Sequence, residues 1–284
     1  MSGWRRGKTR SEPVFDTSRD ISIVIPAYHE EGRLGPTLDR ILDFVRQQTW
    51  DAEVIVVDGA SQDRTADMVR DYAKNHGIVR LLEMPQNRGK GYCVRNGVMN
   101  ARGRIILFTD ADLSSPMEEA PKLLERLEAG ADIAIGSRWM RSQLQTTRQS
   151  LARQGLGRAF NLLLRMVLGL NFRDTQCGFK AFRQNAARTV FSRQKIERWG
   201  FDPEILFLAL HAGFKVVEAP VLWGHDTRTR INPVADGLRM VAETLCIRWY
   251  SLSGKYGESF EVPSPIILAA SPAPAVLMRS DAGD

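Results

Sequence analysis

The sequence is short of the residues that most often carry metal, redox or disulfide chemistry. Its 284 residues include only three cysteines, Cys93, Cys177 and Cys246, far apart and odd in number. No pair has metal or redox spacing, which excludes a disulfide framework and points to a reduced, cytosolic chain. The four histidines, His29, His76, His211 and His225, form no His-Glu-x-x-His or Cys/His pattern. Long apolar runs are also missing. A spanning helix needs roughly 20 apolar residues, and the best tail candidate, from Pro263 to Met278, is shorter and carries Pro263, Pro265, Pro272 and Pro274. Arg5, Arg6, Lys8 and Arg10 have no apolar segment behind them, which excludes a secretory signal. Neither a P-loop nor Gly-x-Gly-x-x-Gly occurs. Gly59-Ala60-Ser61-Gln62-Asp63 lacks the final glycine of a nucleophile elbow. No basic stripe is interleaved with aromatics, so nucleic acid is not an expected partner.

What remains is an ordinary globular mixture, 43% hydrophobic and 25% charged, with a net charge of +6. That excess suits an anionic partner. The expected layout is a flexible tail over 1–18, one domain over 19–252 and a flexible Pro/Ala-rich tail over 253–284. Short aliphatic runs alternate with amphipathic stretches. Ile21–Ile25, Glu53–Val57, Ile78–Leu82, Arg104–Thr109 and Ala131–Gly136 read as strands. Helices are expected near Pro36–Gln48, after Asp63, over Gly91–Ala101 and over Met117–Glu128. This alternation predicts an α/β fold with a Rossmann-like, mostly parallel sheet flanked by helices. The second half is less regular: an amphipathic stretch over 150–170, a compact extended segment over 175–183, and a helix near Pro203–Ala212. A strand at Lys215–Glu218 and a last helix over Pro233–Tyr250 follow, the latter with Val234, Leu238, Val241, Leu245 and Trp249 on one stripe.

Ligands of such sheets sit beyond the carboxyl ends of the strands. The polar residues there are Tyr28 and Glu30, Asp58, Asp110 and Asp112, then Ser137 and Arg138. They come from four strands and should converge on one rim. Asp110-Ala111-Asp112 follows an apolar run, and two carboxylates two apart in a turn can address one hard cation, Mg²⁺ or Mn²⁺. Alone, an Asp-x-Asp is as readily a solvated turn. Asp58 either accepts from a nucleoside or caps its turn. Asn87-Arg88-Gly89-Lys90-Gly91 joins a strand to a helix and suits an anion, although an ordinary glycine turn would read the same. Thr227-Arg228-Thr229-Arg230 can hold phosphate or be a solvated basic loop. The apolar stretch 158–170, with Arg158, Asn161 and Arg165 on a polar stripe, fits a membrane interface or a core helix.

Taken together, these segments resemble the family 2 inverting glycosyltransferases, and among them the polyprenyl-phosphate (dolichyl-phosphate) sugar transferases. The resemblance covers roughly residues 20–250. It rests on Ile25-Pro26-Ala27-Tyr28-His29-Glu30, Val57-Asp58-Gly59-Ala60-Ser61-Gln62-Asp63-Arg64-Thr65, Asn87–Gly91, Asp110-Ala111-Asp112-Leu113 and Gly136-Ser137-Arg138-Trp139. Asp174-Thr175-Gln176-Cys177-Gly178-Phe179-Lys180 and Trp199-Gly200-Phe201-Asp202-Pro203-Glu204 resemble the β-glucosyl branch rather than the mannosyl one. The resemblance implies a GT-A fold. It implies that Pro26, Tyr28, Glu30 and Asp58 hold the nucleoside, and that Asp110 and Asp112 hold nucleotide and metal. Lys90 would bind substrate, Arg138 would meet the diphosphate or the acceptor phosphate, and Arg230 would face phosphate. His29 departs from a more usual Asn, and Thr229-Arg230-Ile231 from Ser-Lys-Leu.

The implied reaction is metal-dependent, inverting transfer of a hexose from UDP-glucose, or of mannose from GDP-mannose, to a polyprenyl phosphate. Asp112, Arg138 and Asp202 would be its candidate catalytic groups. A hydroxyl acceptor would instead require a carboxylate base, for which Asp202 and Glu204 are the candidates. A nucleotidyltransferase is disfavoured, because Pro26–Glu30 stands where a glycine-rich loop belongs. A lipid acceptor implies peripheral association with the anionic inner face of the cytoplasmic membrane.

Overall fold

The structure, a computed structural model, describes residues 18–140, 151–224 and 233–257. Seven strands form one sheet: β1 (Arg19–Ala27), β2 (Ala52–Asp58), β3 (Val79–Glu83), β4 (Gly103–Phe108), β5 (Ile133–Ser137), β6 (Lys180–Arg183) and β7 (Val216–Pro220), in the order β3-β2-β1-β4-β6-β5-β7. All pairings are parallel except those of β6, which runs antiparallel to β4 and β5. The helices are α1 (Leu34–Arg46), α2 (Thr65–Asn75), α3 (Lys90–Asn100), α4 (Ala120–Glu128), α5 (Leu151–Leu168), α6 (Gln184–Phe191), α7 (Phe201–His211) and α8 (Pro233–Leu252).

The strands are continuous apolar runs because both faces are covered. Ile21, Ile23 and Ile25 of β1 pack with Leu34, Leu38 and Ile41 of α1, Val69 of α2, and Leu123 and Leu127 of α4. Val24, on the opposite face of the same strand, packs with Val94 and Val98 of α3 and with residues of α5 to α8 such as Leu164, Ala187, Ile205 and Ile247. Three layers result, with a core on each side of the sheet. The strand order reverses direction between β1 and β4, and that is where an open α/β sheet leaves a crevice for ligand.

Several expectations are corrected. Residues 175–183 are not merely extended: Lys180–Arg183 is a central strand, and the unanticipated helix α6 follows it directly. Met117–Glu119 is a 3-10 turn ahead of α4 rather than part of that helix. Structure continues past α8 into the stretch expected to be tail. Lys255–Gly257 forms a further turn, and the Tyr256 ring is buried, with its hydroxyl donating to Glu204 at 2.8 Å. Asp63 does serve the start of α2, its Oδ1 accepting the Thr65 N–H at 3.0 Å. Residues 1–17 and 258–284, and the Thr227–Arg230 loop with Arg230, lie outside the described residues.

The stretch expected to be either core or interface is divided. In α5, Leu164 and Leu168 enter the core, while Leu162 and Met166 are exposed. Much of the stripe on α8 faces outward: Leu238 is 70% exposed, Leu245 54% and Trp249 54%, with Leu252 beyond it at 73%, whereas Val241 is half-buried. Thr244 and Ile247 occupy the buried side instead.

Candidate active site

The carboxyl ends of β1, β2, β4 and β5 lie on one rim. Because β6 is antiparallel, its first residue also arrives there: Lys180 pairs in register with Phe108, the last residue of β4. The segment 174–179 is thereby delivered beside Asp110.

On the β1–β2 side, Asp58 is buried at the end of β2. Its Oδ2 accepts the Ser61 N–H at 2.9 Å, while Oδ1 is buried without a protein partner. A buried carboxylate oxygen without a donor is costly, and a nucleoside N–H or hydroxyl would satisfy it. Tyr28 is exposed just past β1 and stacks on His29, with ring centroids 4.0 Å apart. The backbone there is pinned by His29 N–H to Ser61 Oγ at 2.9 Å and Glu30 N–H to Thr65 Oγ1 at 2.8 Å. Pro26 sits within β1, in register with Val57. The Glu30 carboxylate is engaged by its neighbour Arg33, which donates from Nε and, at 2.7 Å, from Nη2. Glu30 therefore shapes the start of α1 in addition to any contact with ligand.

At the centre, Asp110 is ion-paired with Lys90, the first residue of α3. A Cβ on Gly178 would stand 2.0 Å from Asp110 Oδ2, so only glycine leaves this carboxylate its place. Burial alone would lower the Lys90 pKa, but Asp110, Asp202 and Asp112 outweigh it and hold the ammonium above the ordinary lysine value. Asp112 lies two residues on, its Oδ1 accepting the Ser114 N–H at 2.9 Å. Among the described residues no group of three or more His, Cys, Asp or Glu could enclose a metal. Two hard carboxylates suit instead a Mg²⁺ or Mn²⁺ ion that keeps waters and takes phosphate oxygens.

On the β5 side, Arg138 donates from Nε and Nη2 to Asp174 at 2.6 and 2.7 Å, a bidentate pair, and its backbone N–H adds a third bond at 3.0 Å. Its guanidinium also lies 5.5 Å from the Trp223 ring centroid. Burial would lower the Arg138 pKa, yet Asp174, with a smaller pull from Asp110, holds it above the usual arginine value. Burial would raise the pKa of Asp174, yet Arg138 holds it below the carboxylate range. Ser137 Oγ is buried nearby without a protein partner.

Asp202, at the start of α7, is buried and ion-paired with the fully buried Lys180, which also donates to Cys177 O at 2.6 Å. Burial pushes the Asp202 pKa up against the pull of Lys180 and Lys90. Glu204 faces elsewhere. It accepts Lys195 N–H at 3.0 Å and Ile196 N–H at 2.8 Å, together with the Tyr256 hydroxyl, and burial pushes it up to about 7. Of the two candidate bases, only Asp202 lies near Lys90 and Asp110. The family resemblance implies no role for Asp174 or Lys180. The one local signal for Lys180 is a charge inside the apolar run Gly178-Phe179-Lys180-Ala181-Phe182, and its meaning depends on a partner 22 residues away.

Comparison with known proteins agrees with this geometry. Residues 22–191 match the family described as Glycosyl transferase family 2. A dolichyl-phosphate beta-glucosyltransferase of Drosophila melanogaster is 38% identical over 248 residues, spanning 82% of this chain and 76% of its own. The Homo sapiens enzyme of that name is 33% identical over 270 residues, spanning 88% and 82%. Glucosyl-3-phosphoglycerate synthase from Mycobacterium tuberculosis, crystallised with Mn²⁺, UDP and glucosyl-3-phosphoglycerate, aligns with a TM-score of 0.60 at 20% identity. That alignment covers 87% of this chain and 81% of that one, and it speaks to the fold alone. With the crevice at the β1–β4 reversal and the Asp110-Ala111-Asp112 turn at its mouth, the chain belongs to glycosyl transferase family 2 and is a glycosyltransferase of GT-A fold.

Proposed function

We propose that this glycosyltransferase moves glucose from UDP-glucose to a polyprenyl phosphate of the dolichyl type, with inversion to a β-linkage. The observation that carries the reading is the charge pattern around Asp110. This carboxylate is paired with Lys90 and acts electrostatically on Arg138, so two cations and two carboxylates share one rim. Such a pattern suits a diphosphate that brings its own divalent cation, next to a second phosphate. The names of the relatives support the sugar and the lipid.

Asp110 and Asp112 would hold Mg²⁺ or Mn²⁺, which when bound neutralises charge developing on the leaving diphosphate. Asp58 and Tyr28 would hold the nucleoside, with Pro26 and Glu30 shaping that side. Lys90 would steady the phosphates. Arg138, fixed by Asp174, would aim the acceptor phosphate at the anomeric carbon. An acceptor phosphate oxygen, already anionic, forms the new C–O bond as the bond to UDP breaks on the opposite face. No proton has to be removed, so no free base is needed. That agrees with Asp202 being tied to Lys180. Catalysis would come from positioning and charge stabilisation.

No described helix is long and apolar enough to cross a membrane. Contact with a lipid surface is supported instead by the outward stripe of α8 and by Leu162 and Met166 of α5, which packs against it. Exposed Arg165, Arg239, Arg248 and Lys255 lie among them and suit anionic headgroups at the inner face of the cytoplasmic membrane. The test is an incubation of the full chain with polyprenyl phosphate, Mg²⁺ and either UDP-glucose or GDP-mannose. The expected product is a glucosyl lipid whose anomeric proton couples as a β-linkage by NMR. An α-linked product, or transfer from GDP-mannose alone, would overturn the reading.

A further inference from the structure

Trp199 has a place in the site that the roles above leave unexplained. It is 36% exposed, whereas Phe201, two residues on, is fully buried, so the core does not require the indole. The Lys90 ammonium lies 5.5 Å from its ring centroid and is ion-paired with Asp110. The partly exposed indole therefore borders the Lys90–Asp110 pair.

The segment that carries Trp199 is held firmly for an exposed loop. Glu197 bonds Arg88 Nε at 2.8 Å and Arg95 Nη2 at 3.3 Å, and its carbonyl accepts the Tyr92 N–H at 2.9 Å. Glu204 accepts the N–H groups of Lys195 and Ile196, and Glu243 of α8 accepts that of Gly200 at 2.7 Å. Three carboxylates thus tie residues 195–200 to α3, α7 and α8. Gly89, at φ 117°, lies so close that a Cβ would stand 2.7 Å from the Glu197 carbonyl oxygen.

We propose that the Trp199 indole is the platform on which the transferred hexose rests, and that it determines specificity for glucose; this builds on the glucosyl-transfer reading above. An aromatic face beside a polar site offers apolar contact at little entropic cost. Apart from its axial link to the diphosphate, the glucose ring carries its substituents equatorially and presents C–H groups on its faces. The C4 epimer, galactose, sets an axial hydroxyl over one face. Pressing that hydroxyl on an indole strips its water without supplying a partner, which is unfavourable.

The test is titration calorimetry of UDP-glucose and of UDP, each with Mg²⁺, against the parent protein, W199L and W199F, with melting temperatures recorded for each. In W199L, UDP-glucose binding is expected to weaken by ~10-fold or more while UDP binding stays within about 2-fold. W199F should recover most of the loss. In transfer assays, the preference for UDP-glucose over UDP-galactose should fall by ~10-fold in W199L. Equal changes for UDP and UDP-glucose, or none, would overturn the platform alone. A parent protein that binds no uridine nucleotide would overturn the glucosyl-transfer reading and the platform with it.

Discussion

Asp112 and Asp110 differ in what a neutral replacement disturbs. Asp110 is the partner of Lys90, so its loss leaves a half-buried ammonium without its counter-charge. Asp112 accepts a backbone N–H from Ser114, a bond that an asparagine retains. Asp112→Asn is therefore the cleaner probe. Transfer should fall by about 10²-fold or more, as expected when several kcal/mol of cation-mediated charge stabilisation is lost. The melting temperature without ligand should stay within about 2 °C. Mn²⁺-dependent thermal stabilisation by UDP should disappear, and its persistence would remove Asp112 from the site. Glu204 carries a different prediction. Folding raises its pKa from the ordinary 4.5 to about 7, with burial the first cause. The folded state then binds the extra proton between these values. The contribution is fully present below about pH 4.5 and is lost as pH rises through about 7, the opposite of a salt-bridged carboxylate. The 2.5-unit difference between 4.5 and 7 corresponds to about 3 kcal/mol at most. Urea denaturation at pH 5 and pH 8 should show that Glu204→Gln flattens this part of the pH dependence, at the cost of one acceptor for the Ile196 N–H. An unchanged slope would mean that Glu204 is ionised throughout.

At the level of elements, the parallel half of the fold was legible because β1, β2, β4 and β5 are buried on both faces and therefore read as unbroken aliphatic runs. β6 was not, because four residues give too little pattern and its partners β4 and β5 precede it by dozens of residues. With β6 went the roles of Asp174 and Lys180, whose positions only an antiparallel strand explains. On α8 the periodicity was legible and the facing was not. Leu238, Leu245 and Trp249 form an apolar stripe, but the helix meets the domain through Thr244, Ile247 and the Glu243 bond to Gly200. A helix that turns leucines and a tryptophan outward next to Arg239, Arg248 and Lys255 has the composition of an interfacial helix. Replacing Leu238, Leu245 and Trp249 together by serine should leave folding stability within about 1.5 kcal/mol, since each is a surface change. The same variant should lose co-sedimentation with anionic vesicles. A variant that still sediments would move the contact to another surface.

Across the whole molecule, the proposed chemistry lies on the rim and the proposed lipid contact on α8, and the charge of +6 bears on the second. The rim residues Asp58, Asp110, Asp112 and Arg138 were legible as strand-end polar groups, since a parallel sheet sends such ends to one side. Their division of labour was not, because Lys90–Asp110, Arg138–Asp174 and Lys180–Asp202 are long-range pairings that no spacing encodes. The separation of rim from α8 makes the two functions testable in one variant. A short-chain, water-soluble polyprenyl phosphate reaches the rim from solution, whereas a long-chain acceptor is presented only by a membrane. The triple serine variant of α8 should keep kcat/KM for the short acceptor within about 2-fold, because its UDP-glucose and phosphate contacts are untouched. For the long acceptor in anionic vesicles, kcat/KM should fall by ~10-fold or more through the loss of apolar burial in the interface. Raising salt should weaken the parent on vesicles as well, because screening at 0.1 M already acts over about 10 Å. An equal fall on both acceptors would instead mean that the stripe acts through α8 on the site, and Glu243, which joins α8 to Gly200 beside Trp199, would be the link to examine.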